Sequence, residues 1–418
     1  MLDESSIVTQ RKALKLNYLK IRQETEDICS LLQIDDFQIQ SITETSPPKW
    51  HIAHVSWFFE EFVLSHFLLN YQTFHPKYAY LFNSYYETVG SMQPRAKRGM
   101  LSRPPVEDIY AYRKYVDEHV LELNESIDES LWQEFFTRVT LGLNHEQQHQ
   151  ELLLMDIKHN FSVNPLKPAY NEKIVTVTHE RADMQWTERC GGIVSIGSDA
   201  NEFCFDNETP RYQVLLNDHK LATRLVNNSE FLEFIQDDGY KRPEFWLADG
   251  WYLIQKEKWQ HPLYWEKMDN DWQIFTLGGL RQLTPYEPLS HVSFYEADAY
   301  ARWAGKRLPS EAELENILSE FEVKGNFLDH RILHPQTKED QWYGDLWQWT
   351  SSPYAPYPGF KPLSGSMGEY NGKFMCNQMT LRGGSCVTPL DHTRATYRNF
   401  FYPHNRWQFS GLRLAEDV

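Results

Sequence analysis

Apolar side chains recur every three or four residues over four long stretches of the first 160 residues, a spacing typical of amphipathic helices. The pattern predicts helices over residues 5–32, 47–69, 106–123 and 129–160. Thr45 or Ser46 can cap the second helix, and Pro47 or Pro48 can occupy its first turn. Residues 71–104 contain Gly and Pro and keep no period, which indicates a long connecting loop. Four helices with one long crossover are typical of a four-helix bundle.

The pattern changes after Phe161, where Asn-Pro and Lys-Pro pairs indicate a linker. Beyond it, short segments with alternating apolar residues predict strands: IVTVTHE, GGIVSIGS and RYQVLLND. Residues 294–304 predict a helix, and a further helix is expected with Ser310 as its cap and Glu313 three positions later. The remainder is rich in Trp, Gly and Pro. We therefore predict an α+β protein, with a helical bundle over residues 1–165 and a loop-rich α+β domain over residues 173–418.

Charge and cysteine usage restrict the partners and the compartment. The 418 residues carry a formal net charge of −17, which argues against nucleic acid or an anionic membrane as partner. The first residues lack the apolar core of a signal peptide, and no apolar run could span a bilayer. The five scattered cysteines indicate reduced thiols. We expect a cytoplasmic protein, and the sequence leaves its oligomeric state open, a homo-oligomer included.

A polar cluster interrupts the apolar pattern of the fourth predicted helix, LGLNHEQQHQELLLMD over residues 141–156. His145 and His149 are four residues apart, so both imidazoles project from one face, one turn apart. Such a pair can bind a metal ion if another element supplies a third ligand. Two exposed histidines are the ordinary explanation of an isolated pair, but Gln148 lies between these two in a leucine-rich helix. We therefore favour a functional pocket.

The second predicted helix offers the third ligand. His51 and His54 are three residues apart and near one face, and His66 follows several turns later. Spacing alone does not decide between His51 and His54. Imidazole suits Zn, Fe, Cu or Ni, and a site of three nitrogens leaves positions open for a substrate and for dioxygen or water.

The long loop carries two further candidate groups. Arg95 and Arg98 could bind a carboxylate, because the guanidinium fork matches that group. Tyr85 and Tyr86 could supply a phenol as proton donor. Solvated arginines and buried tyrosines with satisfied hydroxyls are the simpler alternatives.

Two other classes of function remain open from the residues. His145 to His149 match HExxH, in which Glu146 would be the general base of a zinc hydrolase. Against that class, no downstream helix offers the usual third ligand. Alternatively, the histidines are vestigial and the second half is a non-catalytic, lectin-like binding domain.

Three segments together resemble the ergothioneine-pathway sulfoxide synthases: WHIAH, HEQQHQELLL and NFFYPHNRWQFSGLRLA. That family pairs a DinB-like four-helix bundle with a domain of the formylglycine-generating-enzyme fold, which is C-type-lectin-like. Further segments resemble the second domain: PLSHVSFYEADAYARWAGKRLPSEAELE, DLWQWTSSPY and LRGGS. The resemblance covers nearly the whole chain.

The resemblance implies an oxidoreductase with a non-haem iron(II) bound by His54, His145 and His149, with His51 as a neighbour of the site. It implies an O2-dependent reaction in ergothioneine biosynthesis. A thiol sulfur forms a C–S bond with C2 of the imidazole of hercynine (N-α-trimethylhistidine) and becomes a sulfoxide. The selenoneine-type and ovothiol-type synthases are alternatives within the family.

The family's substrate-binding positions also have matches. Gln148, Asn399 and Phe400 match residues that hold hercynine. Arg95 and Arg98 match the arginines that bind the carboxylate of the thiol substrate, and Tyr85 and Tyr86 match the tyrosine pair of the cysteine-using branch.

One branch of the family holds γ-glutamylcysteine with an Asp and an Arg. This chain has Phe401 and Asn405 at those places, which implies L-cysteine as the thiol. Cys386 has no nearby partner in the sequence, so the paired cysteines of formylglycine-generating enzymes are not evident.

Overall fold

The computed structural model describes residues 4–174, 180–269, 271–337 and 341–418. Most of the predicted strand IVTVTHE lies outside the described residues. The chain divides into a first unit, Met1–Val163 with Leu363–Tyr370, and a second unit, Asn164–Pro362 with Asn371–Val418. The sequence division put residues 363–370 in the second domain. They group with the first unit because Glu369 accepts hydrogen bonds from backbone amides at residues 87 and 88, at 3.0 Å each.

The first unit is helical, as the periodicity predicts. Its long helices are α1 Glu4–Cys29, α2 Pro48–Phe59, α3 Val106–Ser126 and α4 Trp132–Ser162. Helix α1 packs against α4, and α2 packs against both α3 and α4. After α2 the chain continues as a π-helix, Glu60–Leu64, and ends with the helical turn Ser65–Phe67.

The loop over residues 71–104 is less irregular than predicted. It contains a short α-helix, Tyr78–Phe82, and a 3₁₀ helix, Arg95–Met100. Short 3₁₀ helices also occur at Ile34–Gln38 and Glu129–Leu131. These elements have too few turns to produce a detectable hydrophobic period.

Helix α2 is buried along its whole length, and α4 approaches it closely at Gly142. A Cβ atom at Gly142 would lie 2.5 Å from Cε1 of Phe59. The Phe59 ring is itself fixed, since it is fully buried and packs edge-on against Tyr18 with centroids 5.1 Å apart. Glycine therefore permits the two helices to approach one turn before His145.

The second unit consists of short strands joined by loops and helices. Its described strands are β1 Trp186–Arg189, β2 Gly192–Ile196, β3 Tyr212–Leu216, β4 His219–Ala222, β5 Trp265–Met268, β6 Asp271–Thr276, β7 Gly279–Gln282, β8 Gly325–Asn326, β9 Tyr343–Gly344, β10 Trp347–Pro353, β11 Met379–Arg382, β12 Asn399–Phe401, β13 Ser410–Gly411 and β14 Ala415–Asp417. They form sheets in the orders β1-β4-β14, β12-β11-β10-β13, β2-β3, β5-β6-β7 and β8-β9. The pairs β10–β13 and β8–β9 are parallel.

The helices of the second unit are α5 Asn228–Gln236, α6 Ala248–Glu257, α7 Phe294–Trp303 and α8 Glu311–Leu318. The predicted cap of α8 is confirmed: the amide of Glu313 donates to Oγ of Ser310 at 3.2 Å, and the amide of Ser310 donates to Glu313. The prediction omitted α5 and α6. A comparable Asn227/Glu230 capping box precedes α5 and was an available signal.

An apolar core joins α8 to the strands, with Leu314, Leu318, Phe327, Trp342 and Tyr343 among its buried members. Helices beside small, mostly antiparallel sheets make this an α+β fold, as predicted. No helix in the described residues is long and apolar enough to cross a membrane.

Candidate metal centre

Three histidines meet inside the helical unit. One ligand nitrogen from each of His54, His145 and His149 lies within 4.8 Å of the other two. His54 projects from α2, and its Nε2 is 3.2 Å from Nε2 of His145 on α4. Of the candidates left open by spacing, the structure brings His54 into this cluster. His66 instead contacts Glu134 at 2.9 Å.

Hydrogen bonding fixes the tautomer of His54. Its Nδ1 lies 2.6 Å from the carbonyl oxygen of Phe82. A carbonyl only accepts, so Nδ1 carries the proton and Nε2 presents its lone pair to the cluster. The rings of Trp50 and Trp57, one turn before and one turn after, stack on the imidazole with centroids 4.6 and 5.5 Å away. His54 is thus held in place before any ligand binds.

The three imidazoles are uncharged at neutral pH. Burial lowers the pKa of His145 to about 3. Burial is also the largest cause of the lowered pKa of His54 and of His149, and repulsion from a charge on His145 is the second. Neutral rings offer lone pairs to a cation. Three convergent imidazole nitrogens fit a divalent transition metal and leave other coordination positions open.

Tyr370 contacts this cluster, although the sequence did not indicate it as a candidate site residue. Its hydroxyl donates to Oε1 of Gln148, and its ring centroid is 5.6 Å from that of His145. The segment Leu363–Tyr370, anchored by Glu369, brings it there. Its sequence neighbourhood is rich in Gly and Ser and has no period, so no local signal could have indicated the role.

Tyr85 and Tyr86 form a stacked pair with centroids 4.6 Å apart and hydroxyl oxygens 3.5 Å apart. Tyr86 is fully buried, and its ring packs against that of Phe62 with centroids 4.9 Å apart. Burial raises the pKa of Tyr86, and the hydroxyls of Tyr85 and Tyr370 raise it further. The Tyr86 phenol therefore stays protonated and can donate a hydrogen bond.

The two predicted arginines differ in their surroundings. Arg98 is buried, donates to Oγ of Ser46 and of Ser84 at 3.0 Å, and lies 3.5 Å above the ring of Trp50. No carboxylate in the described part of the chain forms an ion pair with it. Burial, followed by the charge of Arg95, lowers the pKa of Arg98. Arg95 itself is exposed and donates to a backbone carbonyl at residue 44, so the two side chains share no partner.

Glu146 does not behave as the HExxH motif requires. Its Oε1 accepts from Thr25 and Arg113 at 2.7 Å each, and its Oε2 accepts from Arg22 at 2.8 Å. Burial alone would raise the pKa of Glu146, but Arg113 and Arg22 lower it to about 2. A general base needs a pKa near the operating pH. The structure therefore argues against the zinc-hydrolase alternative.

Comparisons with known proteins identify the family of this chain. The sulfatase-modifying factor enzyme 1-like domain model matches residues 175–328 and 340–418. The hercynine oxygenase of Mycolicibacterium smegmatis is 31% identical over 358 residues, covering 78% of this chain and 81% of the relative. The chain belongs to the hercynine oxygenase family.

Two further relatives are similar to this oxygenase. The hercynine oxygenase of Mycobacterium tuberculosis is 30% identical over 305 residues, covering 66% of this chain and 70% of the relative. Ergothioneine biosynthesis protein 1 of Schizosaccharomyces pombe is 25% identical over 230 residues, covering 51% of this chain and 28% of that protein. The family assignment makes this chain an oxidoreductase.

The remaining predicted residues of this oxygenase lie in the second unit. Asn399 and Phe400 belong to β12, where the Phe400 ring stacks on Tyr354 with centroids 4.1 Å apart. The side chain of Asn399 accepts from the amide of Phe400 at 2.9 Å. Their role toward hercynine stays a prediction.

Proposed function

We propose that this oxygenase is a non-haem iron(II), O2-dependent sulfoxide synthase that joins the sulfur of L-cysteine to C2 of the imidazole of hercynine. The product is hercynylcysteine sulfoxide, an intermediate in ergothioneine biosynthesis. The observation that carries the proposal is the convergence of neutral nitrogens from His54, His145 and His149 within 4.8 Å. The names of the similar hercynine oxygenases support the choice of hercynine.

The proposed reaction balances with dioxygen as the oxidant. The C2–H and S–H bonds are lost, a C–S bond forms, one oxygen atom goes to sulfur and the other leaves as water. Iron(II) on the three nitrogens would supply the redox chemistry with dioxygen and keep positions open for substrates. The contribution of the protein is to orient both substrates and to supply protons.

Arg98 suits the carboxylate of cysteine. A buried guanidinium without an ion-pair partner loses solvation that a bound carboxylate would replace with charge-assisted hydrogen bonds. Arg98 stacks on Trp50, which in turn stacks on His54, so its guanidinium lies beside the histidine cluster. Cysteine held there would have its thiol within reach of the same cluster.

Gln148 is suited to bind hercynine, and the nearby tyrosines are suited to donate a proton. Oε1 of Gln148 accepts from Tyr370, so its amide N–H groups can be directed to an acceptor on hercynine. Tyr86, whose ring centroid is 5.6 Å from that of Trp57, is a phenol near the cluster that can donate a hydrogen bond to oxygen as negative charge develops there, whereas the hydroxyl proton of Tyr370 is engaged by Gln148. Tyr85, whose hydroxyl is 3.5 Å from that of Tyr86, could replenish the proton.

The tail supports cysteine over γ-glutamylcysteine. Phe401 packs against Trp407 with ring centroids 5.5 Å apart, and Asn405 is buried. By the family resemblance these two positions hold an Asp and an Arg in the branch that uses γ-glutamylcysteine; Phe and Asn offer no charge to a glutamyl group, and a buried charge without a partner costs roughly several kcal/mol. We therefore expect kcat/KM to be higher with cysteine.

The test is anaerobic loading with iron(II), followed by air, hercynine and cysteine, with products identified by mass spectrometry. We expect a C–S-linked sulfoxide whose formation requires all three components. Parallel reactions with γ-glutamylcysteine, with histidine in place of hercynine and with a selenium donor test the neighbouring activities. Oxidation of cysteine to cystine without any C–S product would contradict the proposal, and equal efficiency with both thiols would contradict the choice of donor.

A further inference from the structure

His149 also makes a polar contact with a histidine outside the ligand cluster. Its Nδ1 lies 2.8 Å from Nδ1 of His51, and Nε2 of His51 lies 2.9 Å from Oδ2 of Asp156. His51 is on α2, three residues before His54, and Asp156 is on α4, about two turns after His149. His51 and Asp156 are both buried, at 3% and 1% exposure. This chain of contacts links the two helices that supply the candidate metal ligands.

The direction of these hydrogen bonds follows from the carboxylate. An ionised carboxylate only accepts, and Oδ2 of Asp156 also accepts the backbone amide of Ser46 at 2.7 Å. Nε2 of His51 must therefore donate. A neutral imidazole that binds a metal ion through Nε2 carries its proton on Nδ1, so Nδ1 of His149 donates and Nδ1 of His51 accepts. Nε2 of His149 is left with the lone pair that a metal ion requires.

We infer that Asp156 and His51 are positioning residues that fix the tautomer and ring orientation of His149 as a metal ligand. The inference rests on the proposed metal site. His54 is held in the same manner, with a backbone carbonyl in place of the His51–Asp156 relay. By contrast, Nδ1 of His145 has no hydrogen-bond partner among the described residues. Acceptors behind the imidazoles thus orient two of the three candidate ligands. Substitution of residues in that position commonly lowers metal affinity by about 10–100-fold.

The relay also explains why His51 is not itself a ligand although it is adjacent to the cluster. Both of its ring nitrogens are engaged, one by His149 and one by Asp156. A merely structural role is the competing explanation, in which the buried pair stabilises the packing of α2 on α4. The two explanations differ in what they predict for the metal rather than for the fold.

The first measurement is the affinity for cobalt(II), a spectroscopic probe that replaces iron(II) at such sites, in the full-length protein. His51→Phe keeps the ring volume and removes both hydrogen bonds, and Asp156→Leu removes the acceptor. We expect the dissociation constant to rise by about 10–100-fold in each. Asp156→Asn keeps an oxygen that can accept from Ser46 and His51, so its dissociation constant should stay closer to wild type. His159→Phe changes a buried histidine on α4 that contacts Ser41 instead, and it should bind cobalt(II) normally.

The second measurement is the proton NMR spectrum of the cobalt(II) protein. Each ligand histidine contributes a shifted, exchangeable N–H resonance, and His149 N–H should be protected by its hydrogen bond to His51. In His51→Phe that resonance should broaden through exchange with solvent, while the His54 resonance persists. A purely structural role would lower the melting temperature and leave the resonance protected.

Unchanged affinity and an unchanged resonance in both His51→Phe and Asp156→Leu would overturn the inference. If either variant fails to fold, His51→Leu or Asp156→Ala takes its place, because each also removes the hydrogen bond, and wild-type values in both would have the same consequence. His54→Ala separates this failure from that of the metal site. If His54→Ala binds cobalt(II) as tightly as wild type, the site itself is wrong. If it loses binding while the relay variants are normal, only the relay is wrong.

Discussion

His145 and Glu146 are adjacent on α4 but belong to two different polar regions. We assign the region around Glu146 to the stability of the fold and the region around His145 to function. Around Glu146 the region is closed: Thr25, Arg22 and Arg113 engage both carboxylate oxygens, and opposite charges are paired. We call the region around His145 open, because ligand nitrogens of three uncharged histidines converge there within 4.8 Å and no opposite charge is paired with them in the described residues. Buried groups that satisfy one another hold helices together, whereas convergent lone pairs require a ligand.

The contrast predicts that substitutions in the two regions fail in opposite ways. A change in the open region should remove metal and activity while the bundle still folds. A change in the closed region should lower the free energy of unfolding while the folded molecules still bind metal.

The largest expected effect is that of His145→Ala. Loss of one of three ligands should remove most bound iron(II) and reduce sulfoxide formation to background, while the metal-free variant keeps its helical circular dichroism. Metal analysis after anaerobic loading measures the first part, and mass spectrometry measures the second. Normal iron content and activity in this variant would show that the ligand assignment is wrong.

The next effect concerns the phenols. At least one of Tyr85→Phe, Tyr86→Phe and Tyr370→Phe should retain iron and substrate binding yet slow sulfoxide formation by about 10²–10⁴-fold, or divert cysteine to simple oxidation. Single-turnover experiments with confirmed iron loading test this. Wild-type rates and product ratios in all three would mean that the rings only pack.

Glu146→Ala tests whether the closed region stabilises the fold. Its loss leaves Arg22 and Arg113 buried without the shared carboxylate, which should lower the free energy of unfolding by about 3–5 kcal/mol. Denaturant unfolding of the metal-free protein gives the value. Glu125→Ala is the control, since its ion pair with Lys15 is exposed and such pairs contribute about 0–1 kcal/mol. Equal effects of the two substitutions would contradict the role assigned to the closed region.

The smallest of these effects belongs to Gly142→Ala. The added methyl group would overlap the buried ring of Phe59 and should cost about 1–3 kcal/mol of stability, with a small shift of α4 relative to α2. Gln133→Ala on the exposed face of α4 serves as the control and should be nearly neutral. If Gly142→Ala is as stable as wild type, the close approach at this point does not limit the packing.

The sequence predicted those features that depend on local pattern. Period and capping residues predicted the helices of the bundle and the cap at Ser310, and the spacing of His145 and His149 predicted the face of α4 that carries two of the candidate metal ligands. The presence of His54 rather than His51 in the histidine cluster could not be predicted from spacing, because both project from nearly the same side of α2. It follows from tertiary hydrogen bonds to Phe82 and Asp156.

Long-range contacts account for the other differences. Glu146 matches a motif, but the arginines that engage it lie on α1 and α3, outside the motif. Tyr370 reaches the cluster from a segment more than 200 residues away along the chain, so no local pattern could have indicated it. Helices α5 and α6 are 9 and 10 residues long, comparable in length to the predicted α7 and α8, and the Asn227/Glu230 capping box before α5 was the local signal that the prediction did not use.

The most direct test of the central claim is the stoichiometry of iron(II) binding under anaerobic conditions, measured on wild type, His54→Ala and Glu146→Gln. Glu146→Gln changes the closed region, and its amide keeps the shape of the carboxylate. We predict one iron(II) per chain in wild type and in folded Glu146→Gln, and loss of binding in His54→Ala. Full binding by His54→Ala, or loss of binding only in Glu146→Gln, would contradict the assignment of the metal to the histidine face of α4.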